Sequence, residues 1–220
     1  MKNPLIPVYF MPGMAANPTI FKRIHLPEDV FETHWLEWFV PTKEMTLEDY
    51  ALKMCSLIKH DNPVLLGVSF GGILVQEMSR HISCKKVIIV SSVKNKEELP
   101  KKIWFAKYTN IHKLLPTGLV NNVELLSKYA FGEAVTKRIA LYEEYLSVRD
   151  KQYIDWAIDQ MVHWNPKGTL KGLVHIHGEK DAVFPIANIK KCIPIRNGTH
   201  AMILHRVKWF NEQLPTIILE

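Results

Sequence analysis

The run Val64-Leu65-Leu66-Gly67-Val68 carries no polar side chain, and Ser69 follows it directly, at the head of an amphipathic stretch over 70–82. A short apolar run of this kind, ended by a turn, reads as a strand buried on both faces, the environment of a parallel sheet. Parallel neighbours need long crossover connections, usually helices, so this one segment already asks for a layered α/β architecture. The rest of the chain supplies it. Further strand candidates lie at 7–11, 34–40, 86–91, 172–177 and 191–195, with helical patterns between them. The expected fold is one α/β domain over 1–220, with a mostly parallel sheet of about six strands and flanking helices.

The helical segments carry their own start signals. Thr46 with Asp49 three residues on is a capping pair, and Leu47, Tyr50, Ala51, Met54, Leu57 and Ile58 hold helical spacing towards His60. A final helix is expected from about Ala201, with Ile203, Leu204, Val207, Phe210 and Leu214 on one face. Between 93 and 167 the strand signals stop. Helical patterns rich in aromatics replace them, including one helix expected to be capped by Ser147 and Asp150. A helical insertion at 93–167 is expected to form a lid over the active edge of the sheet.

The strand-to-helix junction reads Gly67-Val68-Ser69-Phe70-Gly71, a G-x-S-x-G pattern. A side chain displayed on a very sharp turn leaves no room two positions to either side, and glycine at both places removes the collision. The turn would present the Ser69 hydroxyl beside a helix N-terminus, the placement a nucleophile needs. A serine hydroxyl is a poor nucleophile until a histidine takes its proton, and that histidine needs an acid to hold its orientation. Of the 10 histidines, His200 lies in the polar loop Arg196-Asn-Gly-Thr-His200 between the last strand and last helix. His175 and His177 alternate within a strand and read as packed scaffold. His34 and His60 have no motif around them.

These features resemble the α/β-hydrolase family over nearly the whole chain, in a trimmed form whose first strand leads directly into the oxyanion-hole loop. The resemblance implies the order nucleophile, acid, base, and hence Ser69, Asp181 and His200 as a catalytic triad. Asp181 follows a strand and turn in Leu173-Val-His-Ile-His-Gly-Glu-Lys-Asp181, which is similar to the family's acid loop, with Glu179 as the local rival. It also implies an oxyanion hole built from the backbone N–H groups of Phe70 and Met14. The family often has His-Gly before that second donor, whereas this chain has Pro12-Gly13, which leaves the support of the loop open.

Composition narrows the function classes. Apolar content of 47% with 23% charged residues is ordinary for a soluble globular chain, and no run reaches the length of a membrane span. The first seven residues lack the apolar core of a signal peptide, so the chain is expected to be cytoplasmic. Three cysteines, Cys55, Cys84 and Cys192, are odd in number and widely spaced, which suits free thiols and no metal knuckle. The net charge of +6 includes a cluster at Lys94, Lys96, Lys101, Lys102 and Lys107, read as a solvated face and not as a nucleic-acid site. Neither cofactor nor metal is expected. The partner is a small molecule, and the oligomeric state is open.

The leading expectation is a serine hydrolase (a carboxylesterase or thioesterase) that cleaves esters or thioesters of small, largely apolar molecules through an acyl-enzyme. Trp104, Phe105, Tyr108 and Trp156 in the lid are candidates to line its pocket. The same triad would also serve an acyltransferase, a carbon–carbon hydrolase or a lyase. A binding protein that keeps the fold without the reaction is the alternative of a different class.

Overall fold

A computed structural model describes residues 4–101 and 144–220. Six strands form one sheet, namely β1 (Ile6–Met11), β2 (Phe31–Trp35), β3 (Val64–Val68), β4 (Lys86–Val90), β5 (Val174–Gly178) and β6 (Ile193–Ile195). They lie in the order β2-β1-β3-β4-β5-β6, and every neighbouring pair is parallel. Around the sheet are α1 (Leu47–Cys55), α2 (Phe70–Met78), α3 (Lys151–His163), the short α4 (Met202–His205) and α5 (Val207–Leu219). All five residues of β3 are buried, as its unbroken apolar run requires at the centre of a covered sheet.

The strand order places a switch between β1 and β3. From β1 the chain steps outward to β2, then returns to the other side of β1 as β3 and continues away. At such a switch the loops leaving the two strands part in opposite directions and open a crevice beyond their carboxyl ends. Here the two loops are 12–17, after β1, and the turn at Ser69, after β3.

Several expected element boundaries and caps need correction. The second strand is not 34–40 but Phe31–Trp35, in register with β1 from Ile6↔Phe31 to Phe10↔Trp35. Beyond Trp35 one further amide, that of Leu36, bonds Phe10 O before the chain leaves the sheet. The apolar residues that follow are packed without being a strand, Phe39 stacking on Tyr50 and Trp38 on Phe70. α1 has the expected capping box of Thr46 and Asp49 but ends at Cys55, well short of His60. The cap of α3 is Asp150 alone, accepting from Tyr153 N, while Ser147 Oγ takes a bond from Asn17. The last helical stretch is broken at Arg206 into α4 and α5.

The lysine cluster is not one solvated face. Lys94 is buried, lies 3.3 Å from the buried carboxylate of Glu98, and donates to the carbonyls of Lys190 and Lys191. Lys102 and Lys107 lie outside the described residues, as does the middle of the expected lid. The three cysteines are free and half-buried, and burial pushes the Cys55 and Cys84 thiols up to about 11. Among the described residues no helix is long and apolar enough to cross a membrane.

Candidate active site

Ser69 ends β3 and caps α2 with φ 54° and ψ −121°. The glycines around it are required by close approach. A Cβ at Gly67 would stand 2.2 Å from the Gly71 carbonyl oxygen, and one at Gly71 would stand 2.2 Å from that of Pro12. No side chain fits at either place. The turn is held from below by Ser69 N donating to Val90 O (2.9 Å) and by Ser92 Oγ donating to Ser69 O (2.7 Å).

Asp181 and His200 arrive on the loops after β5 and β6. These loops touch backbone to backbone: Lys180 N donates to Gly198 O at 2.7 Å, and a Cβ at Gly178 would lie 2.4 Å from Gly198 O. One carboxylate oxygen of Asp181 accepts from the amides of Val183 and Phe184, both at 2.8 Å, an Asx-type turn that fixes the side chain. Its other oxygen lies 2.9 Å from His200 Nδ1. A carboxylate only accepts, so the proton sits on Nδ1 and Nε2 presents its lone pair. That lone pair faces Ser69 Oγ at 3.0 Å.

The three side chains named from the sequence therefore form one hydrogen-bonded chain. Asp181 is 4% and His200 9% exposed, which keeps water away from the bonds between them. Glu179, the rival acid, is exposed but not idle. Its carboxylate accepts from Asn197 N at 3.1 Å and so steadies the His200 loop from outside.

Met14 and Phe70, the expected amide donors, line the same cavity as Ser69 and His200. Phe70 is the first residue of α2, and a helix leaves its first amides without acceptors of its own. The Met14 loop approaches closely enough that a Cβ at Gly13 would be 3.4 Å from Ser69 Cβ. Its support, left open by Pro12, is Trp38. The indole N–H donates to Gly13 O at 2.8 Å, and the ring stacks on Phe70 with centroids 5.3 Å apart. One buried side chain thus touches both loops that carry the amides. Its position in an apolar run hid this role in the sequence.

Among the described residues the cavity walls are apolar, formed by Ile20, Leu146, Met161, Val183, Ile203 and Leu204. Trp156 is not among them. It stacks on Tyr50 and donates its indole N–H to Met45 O at 2.6 Å, so it fastens α3 to the body of the fold. Trp104, Phe105 and Tyr108 lie outside the described residues.

Behind Asp181 stand two further buried histidines. His177 Nε2 bonds Phe184 O at 2.8 Å, so its proton is there and its Nδ1 accepts, 3.0 Å from His175 Nε2. Burial pushes His175 down to about 2 and also lowers His177, despite the pull of Phe184 O and Asp181. Both rings are neutral.

No protein-family model and no curated protein of known function matches this sequence. Solved structures do match in three dimensions. An enol-lactonase from Burkholderia xenovorans LB400 superposes with a TM-score of 0.76 at 12% identity, covering 99% of this chain and 93% of that one. An esterase from Exiguobacterium antarcticum gives 0.73 at 17% identity, covering 98% and 92%. A hydrolase from Oleispira antarctica gives 0.73 at 13% identity, covering 100% and 93%. With its parallel six-stranded sheet and flanking helices, the chain has the α/β-hydrolase fold.

Proposed function

We propose that the protein is a serine hydrolase that cleaves an ester or thioester of a small, largely apolar molecule through an acyl-enzyme. The observation that carries this reading is the directed chain Ser69 Oγ, His200 Nε2, His200 Nδ1, Asp181 at the floor of an apolar cavity. Similarity to an enol-lactonase and an esterase supports it at the level of the fold.

In this reading Ser69 Oγ attacks the substrate carbonyl while its proton passes to His200 Nε2. The imidazolium so formed is stabilised by Asp181, which stays ionised. The tetrahedral oxyanion takes hydrogen bonds from the Phe70 and Met14 amides, donors that are fixed in place before charge develops. His200 then gives the proton to the departing alkoxide or thiolate, leaving an acyl group on Ser69. Water, deprotonated by the same imidazole, attacks that acyl group and regenerates the hydroxyl. The apolar walls favour a hydrocarbon acyl or alcohol group over a charged one.

Labelling with a fluorophosphonate, together with turnover of activated esters graded in acyl length, tests the proposal. The wild-type chain is expected to label at one residue and to hydrolyse short apolar esters. Ser69→Ala should do neither while keeping its circular dichroism. Labelling that persists in Ser69→Ala, or a wild-type chain inert to every ester and to the probe, would overturn it.

A further inference from the structure

Away from the cavity, at the outer edge of the sheet, three metal-binding side chains converge. Glu32 and His34 alternate along β2, so they share one face of the edge strand. His60 meets them from the connection between α1 and β3. One ligand atom from each falls within 4.8 Å of the other two. We propose that this cluster is a binding site for one divalent transition-metal ion of the zinc type, ligated by His34 Nε2, His60 Nε2 and the Glu32 carboxylate.

Each imidazole already stands near a Glu32 oxygen at about the spacing of two ligands on one ion. Two donors about 2.0–2.1 Å from a tetrahedral ion stand about 3.3 Å apart. His34 Nε2 is 3.2 Å from one Glu32 oxygen, and His60 Nε2 is 3.7 Å from the other. His34 Nε2 is buried, and beyond its 3.2 Å approach to the Glu32 carboxylate it has no hydrogen-bond partner among the described residues. A metal ion would satisfy that atom.

The rings are already oriented. His34 stacks on Tyr9 with centroids 4.5 Å apart, and His60 Nδ1 lies 2.7 Å from the Tyr9 hydroxyl. That hydroxyl accepts from Lys59 N at 3.1 Å. The Tyr9 oxygen can accept a second hydrogen bond, from His60 Nδ1, and in that tautomer the Nε2 lone pair is the one that ligates the ion. An outer hydrogen bond of this kind sets tautomer and ring angle in metal-ligating histidines. The donor set selects the ion: two imidazoles with one carboxylate suit zinc, nickel or copper, whereas calcium and magnesium take oxygen ligands. Lys59 lies beside the cluster and opposes any cation held by charge alone. Water would complete the coordination. Such an ion would tie the edge strand β2 to a segment distant in sequence.

Zinc added to chelator-treated, dialysed protein, followed by calorimetry and thermal unfolding, tests the site. One saturable equivalent is expected, with the midpoint rising several degrees once the ion is in large excess over its dissociation constant. His34→Ala and His60→Ala should each weaken binding at least about tenfold, and Tyr9→Phe by about tenfold. Glu32→Gln, at an exposed side chain, gives a variant whose fold is not at risk, and it too should weaken binding. His200→Ala should bind as wild type. Absence of saturable binding, undiminished binding in Glu32→Gln and the His34→Ala, His60→Ala pair, or loss in His200→Ala instead would each overturn the assignment.

Discussion

Two histidines flank the carboxylate of Asp181, and they are built for opposite purposes. His200 lies 2.9 Å from one oxygen, in the wall of the cavity, with its second nitrogen aimed at Ser69. His177 Nε2 lies 3.5 Å from the same oxygen, fully buried, yet its proton goes to Phe184 O. Proximity to an acid therefore does not make a base. What separates the two rings is where each proton points and whether the far nitrogen reaches a reactive group.

The largest expected effect is at His200. His200→Ala should lower ester turnover by about four orders of magnitude or more, because His200 is the one base that meets Ser69 Oγ among the described residues. Steady-state rates with one activated ester measure this, and a comparable loss in a His177 variant would break the contrast. Asp181→Asn should cost roughly three to four orders, since an amide can favour the wrong imidazole tautomer and cannot stabilise the imidazolium. Glu179→Gln should stay close to wild type, because the amide oxygen can still accept from Asn197 N. Equal losses in those two variants would move the acid role.

Trp38 sharpens the comparison from the other side of the cavity. Trp38→Phe keeps a ring against Phe70 but removes the bond to Gly13 O, so the Met14 amide loses its anchor. We expect kcat to fall about tenfold with KM little changed, the pattern of a weakened oxyanion contact. A change confined to KM would mean that Trp38 shapes the cavity alone.

The smallest effect concerns stability. Burial lowers both His175 and His177 in the folded chain, while in the unfolded chain they take up protons below about pH 6.5. Their contribution is thus intact above about pH 6.5 and is lost as pH falls below it towards the folded values. For His175, pushed down to about 2, the expected slope is roughly 1 kcal/mol per pH unit, and His177 adds to it in the same direction. Urea midpoints at pH 7 and pH 5 give the slope, and His177→Phe should flatten it while leaving turnover within a few-fold of wild type. A His177→Phe profile as steep as wild type would place the acid sensitivity elsewhere.

Legibility in the sequence followed the same division. The Ser69 turn could be read because sterics dictate both glycines, and sterics act over five consecutive residues. Asp181 and His200 could be placed because each lies in the loop after a strand, in the order of nucleophile, acid and base that the family resemblance implies. Trp38 could not, since an apolar run reports burial and is silent about backbone or hydrogen bonds. The same silence produced the misplaced second strand, where the chain leaves the sheet after Leu36 and Trp38 and Phe39 pack by their rings. Glu32 and His34 alternate on one strand, but nothing in the sequence announces that His60, from a connection distant in sequence, joins them.

The turn at Ser69 has a consequence for durability. A side chain held at φ 54° and ψ −121° occupies a region open to glycine and costly to other residues, on the order of 1–3 kcal/mol. That energy is withdrawn from a net stability of only about 5–15 kcal/mol. Ser69→Gly would release part of it, whereas Ser69→Ala would not, so the glycine variant should melt a few degrees above the alanine one. The residue proposed to do the chemistry is then also one the fold would be sturdier without, and the hydroxyl is kept at the expense of the scaffold that displays it.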